Sequence, residues 1–247
     1  LTTWMDALRH LGQSFPLARI GLDALSVALP LAALLAFVGL NFMSATARGL
    51  AVTRKRASFE KCARQLALLG LLLGWLLLIA LVVLGAGLGL RDPWPADEPR
   101  FALVAKEMVE SGQWLFPMRG GEIYPDKPPM FMWGIAIGYL LTGSIKVAFL
   151  LPSLLAGLLT IVLVWDLGRR LWSPATGFMA GLLLLLTVQF TLQAKTAQID
   201  ALVTFFITLG VYGFMRFLLC EGGWRWYWLG WFAAGLGIIT KGVGILA

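Results

Sequence analysis

The chain has 247 residues, of which 59% are hydrophobic and only 13% are charged, and its net charge is +7. Soluble domains are about 45–50% apolar and about 25% charged, so this composition, with a mean hydropathy of +0.82, excludes an ordinary soluble domain. The basic residues lie in short loops between apolar runs, which is typical of cytoplasmic membrane loops and not of a nucleic-acid-binding surface. We therefore expect an all-α integral membrane protein that does not bind nucleic acid.

Long apolar runs predict where the chain crosses the membrane, because a spanning helix needs about 20 mainly apolar residues. The predicted spans are 24–43, 66–90, 147–165, 175–192, 201–219 and 226–247. The run 130–142 is apolar but short, so we expect it to form an interfacial or re-entrant helix that does not cross.

The charge of the loops predicts the orientation of these spans. Six basic residues lie within 48–64, so this loop is expected on the cytoplasmic side. If 130–142 does not cross, Arg169, Arg170, Arg216 and Arg225 also fall on the cytoplasmic side, as the positive-inside rule requires. The same arrangement places Asp97 and Asp200 together on the outer face.

The acidic loop 91–143 is the most informative segment of the chain. Two prolines end the preceding span, and a short amphipathic helix is expected to begin near Glu98, with Asp97 as its N-cap. The apolar face of this helix suits the membrane surface; Gly112 should end the helix, and Gly120-Gly121 should form a turn. The predicted apolar face consists of Phe101, Val104, Ala105 and Met108.

Two stretches of this loop carry a family resemblance. DEPRFALVAKEMVESGQWLFP followed by YPDKPPMFMW resembles the first outer loop of bacterial GT-C membrane glycosyltransferases, which include the lipid A aminoarabinose transferases and the protein O-mannosyltransferase-like family. The stretches 198–201 and 240–242 also match that family, so the resemblance covers about residues 70–247. It implies a multi-span helical bundle of GT-C type, with 66–247 as the N-terminal part of its catalytic domain. Residues 1–65 would be an extra span and a basic cytoplasmic loop without an assigned role.

The resemblance also implies roles for individual side chains. Asp97 would be the catalytic carboxylate that activates the acceptor, and Asp200 would orient or assist it. Lys127 and Lys241 would bind the phosphate of the donor. From the residues alone, both aspartates are equally well explained as helix caps, and both lysines as side chains that reach for the membrane interface.

Several neighbouring residues are weaker candidates. Glu98 fits the N-terminal dipole of its helix, with a supporting catalytic role as the alternative, and Tyr124 and Asp126 are further supporting candidates. Asp97 and Asp126 are the acids that a divalent metal ion would take, although so few acids do not define a metal site. Two further interpretations concern Trp114 and Trp133, which are candidate sugar contacts, and a glycine set expected to mark close helix packing, namely Gly70, Gly74, Gly85, Gly87 and Gly89.

The function expected from the resemblance is transfer of a sugar from a polyprenyl-phosphate donor to a lipid A, protein or other envelope acceptor at the periplasmic face of the bacterial inner membrane. A transporter or a non-catalytic membrane protein is the alternative. The chain begins at Leu1 and stops inside an apolar run at Ala247, which suggests a fragment. The sugar, the acceptor, the metal dependence and the oligomeric state stay open at this point.

Overall fold

A computed structural model describes residues 56–94, 97–220 and 222–241. The predicted span 24–43 and the basic loop 48–64, apart from the helical backbone from residue 56, lie outside this part of the chain. The described residues are almost entirely helical, as the composition predicts. The helices are α1 (Arg56–Gly85), α2 (Asp97–Ser111), α3 (Met130–Thr142), α4 (Ile145–Ala148), α5 (Leu151–Leu171), α6 (Pro174–Leu186), α7 (Val188–Lys195), α8 (Ile199–Leu219) and α9 (Trp224–Lys241).

Helices α5 and α8 run parallel to each other. Near their first residues, the Ser153 hydroxyl donates to the Gln198 carbonyl at 3.4 Å. Near their last residues, the Tyr212 hydroxyl donates to Asp166 at 2.6 Å. The bundle therefore has a loop end, which carries Asp97 and Asp200, and an arginine end, which carries Asp166, Arg169, Arg170 and Arg216.

Because α5 and α8 are parallel, the pair α6–α7 has to return the chain from the arginine end to the loop end. These two helices are bent by 70° at their junction. The segment predicted to span the membrane over 175–192 is therefore two helices, which together are long and apolar enough to cross. Thr187 adopts an extended conformation at the break. The Thr191 hydroxyl donates to the Leu185 carbonyl at 2.5 Å, which supplies a donor to a carbonyl group that the interrupted helix leaves free.

Other predicted spans agree with the structure. Three helical segments of the described residues are long and apolar enough to cross a membrane, namely Ala63–Gly85, Ile145–Leu171 and Ile199–Leu219, and the bent pair makes up to four. Helix α9 is not among them because its first turns carry an arginine and several tryptophans, yet it runs from the arginine end to the loop end. Residues 242–247 of the predicted last span lie outside the described part.

Helix α1 ends at Gly85, five residues before the predicted end of its span. Gly87 and Gly89 have φ angles of +97° and +75°, in the left-handed region that terminates helices. The expectation of close helix packing is wrong for Gly74 and Gly87, where a Cβ would meet no atom within 4 Å, whereas a Cβ on Gly89 would lie 3.0 Å from Val147 Cγ2 of α4. Close approach of helices occurs instead at glycines such as Gly177, where a Cβ would lie 2.5 Å from the Trp165 carbonyl oxygen.

The apolar face of α2 is buried, as its periodicity predicts, but it packs on protein and not on lipid. Phe101, Val104, Ala105 and Met108 are all at most 3% exposed. The Phe101 ring meets the Phe131 ring of α3 edge to face at 5.6 Å. The two helices form one core with Tyr124 and the first residues of α8, so α3 and α2 together cover the loop end of the bundle.

A short hairpin joins α2 to α3. Strands β1 (Met118–Arg119) and β2 (Glu122–Ile123) pair antiparallel, and the turn is Gly120-Gly121, as predicted. Both glycines have positive φ angles, which is what a two-residue hairpin turn requires. Gly112, with a φ of +73°, ends α2 as expected.

Candidate active site

The buried carboxylate of Glu98 lies at the centre of the loop end. The side chain of Arg91 approaches it with both terminal nitrogens, at 2.5 and 2.7 Å. Glu98 is 4% exposed, whereas its neighbour Asp97 has a side chain that is 55% exposed. The two consecutive acids therefore have different surroundings, with Glu98 held inside the protein and Asp97 facing outward.

Glu98 also accepts two backbone hydrogen bonds from other segments. The N–H of Trp94 donates to it at 2.7 Å and the N–H of Ala197 at 2.8 Å. Arg91 makes a further bond to the carbonyl of Lys195 at 3.0 Å. One carboxylate thus joins the segment after α1, the first turn of α2 and the loop between α7 and α8.

These contacts determine the ionisation of Glu98. Burial acts to raise the pKa of its carboxyl, but the bond from Arg91 and the two backbone N–H donors outweigh burial. The pKa therefore lies below its ordinary value, and Glu98 is a carboxylate at neutral pH. An ionised group with four donors is suited to holding segments in place and not to accepting a proton.

Asp97 is the first residue of α2, not the residue before it. Position 96, where a cap would stand, lies outside the described residues, so the predicted capping role of Asp97 is not supported. Its nearest described cation is Arg100, one turn along the helix, at 3.7 Å. The carboxylate is consequently available to a substrate at the loop end.

Asp200 and Lys241 form an ion pair between the start of α8 and the end of α9. Their side chains are 45% and 34% exposed, so the pair faces an accessible space. Since Ala197, three residues before Asp200, is bonded to Glu98, the Asp200–Lys241 pair and Asp97 lie at the same end of the bundle. The structure thus brings together residues that are far apart in the sequence.

Tyr124 connects Asp97 to the hairpin. It is 5% exposed, and its N–H donates to the Pro117 carbonyl at 2.8 Å. Burial raises the pKa of its hydroxyl, the charges of Asp126 and Asp97 raise it further, and Arg100 opposes them. Asp97, Arg100, Tyr124 and Asp126 therefore form a second polar group at the loop end.

Lys127 lies close to this group in the chain, at the entry to α3. It is half-buried, whereas Asp126 is exposed, and within the described ranges it makes no ion pair. Helix α9, which ends in Lys241, contacts α3. Lys127 precedes α3 by three residues, so the elements that position the two predicted phosphate-binding lysines touch.

The donor set for a metal ion is small. Among the residues that the structure describes, no three His, Cys, Asp or Glu side chains form a group that would hold a metal. Asp97 and Asp126 are both close enough to influence Tyr124, but Ca²⁺ takes six to eight oxygen ligands and Mg²⁺ about six. We therefore assign no step to a metal.

Comparison with known proteins identifies similar sequences and similar folds. A family model described as dolichyl-phosphate-mannose-protein mannosyltransferase matches residues 126–247. The undecaprenyl phosphate-alpha-4-amino-4-deoxy-L-arabinose arabinosyl transferase 1 of Pseudomonas fluorescens is 34% identical over 177 residues, which are 68% of this chain and 32% of that protein.

Two crystal structures of ArnT from Cupriavidus metallidurans, one in the apo state and one bound to undecaprenyl phosphate, match the fold with TM-scores of 0.65 and 0.66. Their sequence identities are 29% and 28%, and the matches cover 69% and 70% of this chain and 33% of each ArnT chain. The chain belongs to the GT-C membrane glycosyltransferase family. It is a multi-pass protein of the bacterial inner membrane and spans about one third of the length of the relatives it matches.

Sequence reasoning missed two residues of this GT-C site. Arg91, the first residue of the acidic loop, had no predicted role, and Lys195 was predicted to be an ordinary interface lysine. Lys195 donates to the Val83 carbonyl at 3.0 Å, near the end of α1, and its own carbonyl accepts from Arg91. A single arginine directly after an apolar run is a weak signal, because such residues usually reach for lipid headgroups.

The two tryptophans proposed as sugar contacts are bonded to each other in this GT-C chain. The Trp133 indole N–H donates to the Trp114 carbonyl at 2.6 Å, and both rings pack against the core of the loop end. This bond ties the segment after α2 to α3. Their contact with a sugar stays a prediction.

Proposed function

We propose that this chain contributes the outer catalytic loop and the first spanning helices of a glycosyltransferase that takes a sugar from a polyprenyl-phosphate donor. The acceptor would be a lipid A, protein or other envelope hydroxyl or phosphate, and the site would face the periplasm. One observation supports the proposal most strongly. The Glu98 carboxylate bonds the turn that carries Asp97 to the loop that leads into Asp200. Asp200 in turn pairs with Lys241.

The chemistry follows from the exposure and charge of these groups. Asp97 takes the proton from the acceptor oxygen as that oxygen attacks the anomeric carbon of the sugar. The bond from this carbon to the phosphate oxygen breaks, and its electron pair leaves with the polyprenyl phosphate. Lys127 and Lys241 bind the phosphate and stabilise its added charge. A single displacement of this kind inverts the configuration at the anomeric carbon.

In this proposal, Asp200 fixes the position of the Lys241 ammonium group. Paired with a carboxylate, the ammonium group is held at one place at the end of α9, and part of its charge stays available to a phosphate. The lipid tail of the donor would extend from the loop end into the bilayer along the spanning helices. A periplasmic site agrees with the positive-inside rule, because the arginines in the last turns of α5 and α8 lie at the opposite end.

The rival function is transport of an ion. Transporters place their ionisable groups near the middle of the membrane. In the described part of the chain, the ionisable residues of the spanning helices lie at their ends, around Asp200 and around Asp166. This distribution favours chemistry at a lipid headgroup.

The experiment that tests the proposal replaces Asp97 by Asn in the full-length protein. Membranes that contain the variant are supplied with labelled polyprenyl-phosphate sugars, and transfer to lipid or protein is measured. We expect transfer to fall by at least about 10²-fold. Asp92→Asn is the matched control, because Asp92 lies in the same loop, is 79% exposed and pairs only with Lys146 at 2.7 Å; it should keep full activity.

Two results would contradict the proposal. One is an active Asp97→Asn enzyme, which would remove Asp97 from the mechanism. The other is a wild-type protein that transfers no sugar from any polyprenyl-phosphate donor tested, which would favour the rival functions. Labelling of single cysteines at positions 97 and 200 from the two sides of the membrane tests the periplasmic orientation separately.

A further inference from the structure

Among the described residues, the arginine end of the bundle has three arginines around one buried acid. Arg169 and Arg170 both donate to Asp166, the latter at 2.5 Å. The Tyr212 hydroxyl donates to Asp166 at 2.6 Å and accepts a bond from Arg216 at 2.8 Å. We call these five residues the arginine cluster; it has three positive charges and one negative charge.

Several donors of the arginine cluster have no acceptor in the described part of the chain. The Arg216 Nε is buried and makes no hydrogen bond there. The Arg216 side chain is 12% exposed, and its guanidinium stacks on the Trp226 ring at 4.1 Å. Arg170 bonds to Asp166 through its Nε, and its side chain is 37% exposed, so it carries the most accessible positive charge of the cluster. Guanidinium groups bind phosphate oxygens well, often with two parallel bonds.

An apolar groove begins directly beside the arginine cluster. It lies between α5 and α8, has a volume of about 230 Å³ and is lined almost wholly by apolar side chains. Tyr212 belongs to both features, since its ring lines the groove and its hydroxyl bonds to Asp166. The lining residues are Leu163, Val164, Leu167, Ile207, Thr208, Val211 and Tyr212.

We propose that this corner binds an anionic phospholipid of the surrounding bilayer, with its phosphate against Arg170 and one acyl chain in the groove between α5 and α8. A free phosphate ion would have no use for the groove, and a neutral lipid would leave the surplus charge unbalanced. An amphipathic anion satisfies both features. Basic pockets between spanning helices on the cytoplasmic side are typical sites for anionic lipid headgroups.

The phospholipid site is separate from the proposed active site. It lies at the other end of α5 and α8 from Asp200 and Lys241, and none of its residues takes part in sugar transfer. It therefore does not depend on the proposed function, and it can be tested on a protein whose activity is unknown.

The test is native mass spectrometry of the full-length protein titrated with phosphatidylglycerol, phosphatidylcholine or inorganic phosphate. We expect retention of phosphatidylglycerol in preference to phosphatidylcholine. Arg170→Gln should weaken phosphatidylglycerol binding about fivefold, whereas Arg170→Lys should keep most of it. Arg225→Gln is the matched control, because Arg225 is exposed at the same end and is not part of the cluster; it should leave binding unchanged.

A second variant tests the groove without changing any charge. Val211→Trp should fill it and release the lipid, whereas Leu218→Trp, on the same helix but outside the groove, should not. Lipid binding of each variant is compared only if its thermal unfolding matches that of the wild type. If Arg170→Gln does not fold, the difference in lipid binding between Val211→Trp and Leu218→Trp tests the proposal. Three results would each overturn the proposal. The protein could bind phosphatidylcholine as well as phosphatidylglycerol, or retain inorganic phosphate as well as phosphatidylglycerol. A cysteine in Val211→Cys could also cross-link to another helix of this chain.

Discussion

Replacement of Glu98 by Gln tests whether one buried carboxylate holds the loop end together. Each oxygen of Glu98 accepts one bond from Arg91 and one backbone bond, from Trp94 or from Ala197. Glutamine is the same size but has one oxygen and one NH₂ group. The NH₂ group would face two donors, so one arginine bond and one backbone bond are lost.

The magnitude follows from these two losses. A hydrogen bond to a charged group contributes about 1.5–3 kcal/mol, and a neutral one about 1 kcal/mol. The side chain of Arg91 is 29% exposed, so water can replace part of what it loses. We therefore expect Glu98→Gln to lower the free energy of unfolding by about 2–3 kcal/mol at pH 7.

The pH dependence of this difference has a definite sign. The pKa of Glu98 in the folded protein lies below its ordinary value of 4.5. The ionised carboxylate therefore stabilises the fold above pH 4.5, and this stabilisation is lost as the pH falls from 4.5 through the lower pKa of the folded state. The difference in the free energy of unfolding between wild type and Glu98→Gln should have its full size at pH 7 and should decrease below pH 4.5.

The assays are thermal unfolding of the purified full-length protein across this pH range, amide hydrogen exchange at Ala197, and initial rates of sugar transfer. Exchange at Ala197 should accelerate in Glu98→Gln, and kcat per folded molecule should fall about 10–100-fold because Asp97 is displaced. Glu110→Gln is the control, since Glu110 lies on the same helix, is 58% exposed and pairs loosely with Lys106 at 3.6 Å. Unchanged exchange at Ala197 together with unchanged kcat would refute the reasoning.

Two further predictions concern the donor phosphate and helix packing. Lys241→Gln should change stability by less than about 1 kcal/mol, because its pair with Asp200 is partly exposed. It should lower kcat/KM for the polyprenyl-phosphate donor about tenfold or more. Lys106→Gln serves as the control, and equal kinetics in the two variants would contradict the role of Lys241. Gly177→Ala should destabilise the protein by about 1–3 kcal/mol in thermal unfolding, because its Cβ would lie 2.5 and 2.8 Å from backbone atoms of α5, whereas Gly235→Ala has free space and should not.

The sequence predicted the helices of this fold better than their interruptions. The apolar runs located α1, α5 and α8, and the positions of the arginines predicted which helix ends lie together. The break at Thr187 could not be predicted, because the surrounding residues 182–192 contain no glycine or proline. Its backbone groups are satisfied by threonine hydroxyls, and threonine is equally compatible with an unbroken helix.

The sequence predicted candidate residues for the site but not the hydrogen bonds and ion pair that the structure shows among them. The family resemblance supplied Asp97, Lys127, Asp200 and Lys241, and the structure joins the last two as an ion pair. The bonds from Glu98 to Arg91 and to the backbone of Ala197 depend on the packing of helices that are distant in the sequence. Local pattern carries no information on such contacts, which is why Glu98 was interpreted as a partner of the helix dipole.

Helix geometry explains why two consecutive acids serve this site better than one. Successive residues of an α-helix are rotated by about 100°, so Asp97 and Glu98 cannot both face the core of the loop end. Glu98 faces inward, where four donors keep it ionised and fixed, and Asp97 consequently faces outward with its carboxylate exposed. An acid that had to anchor the helix and also accept a proton would have its pKa lowered by the anchoring bonds, and it would be a weaker base. Division of the two tasks between neighbours lets Glu98 fix the first turn of α2 while Asp97, the proposed catalytic carboxylate, stays exposed at the loop end.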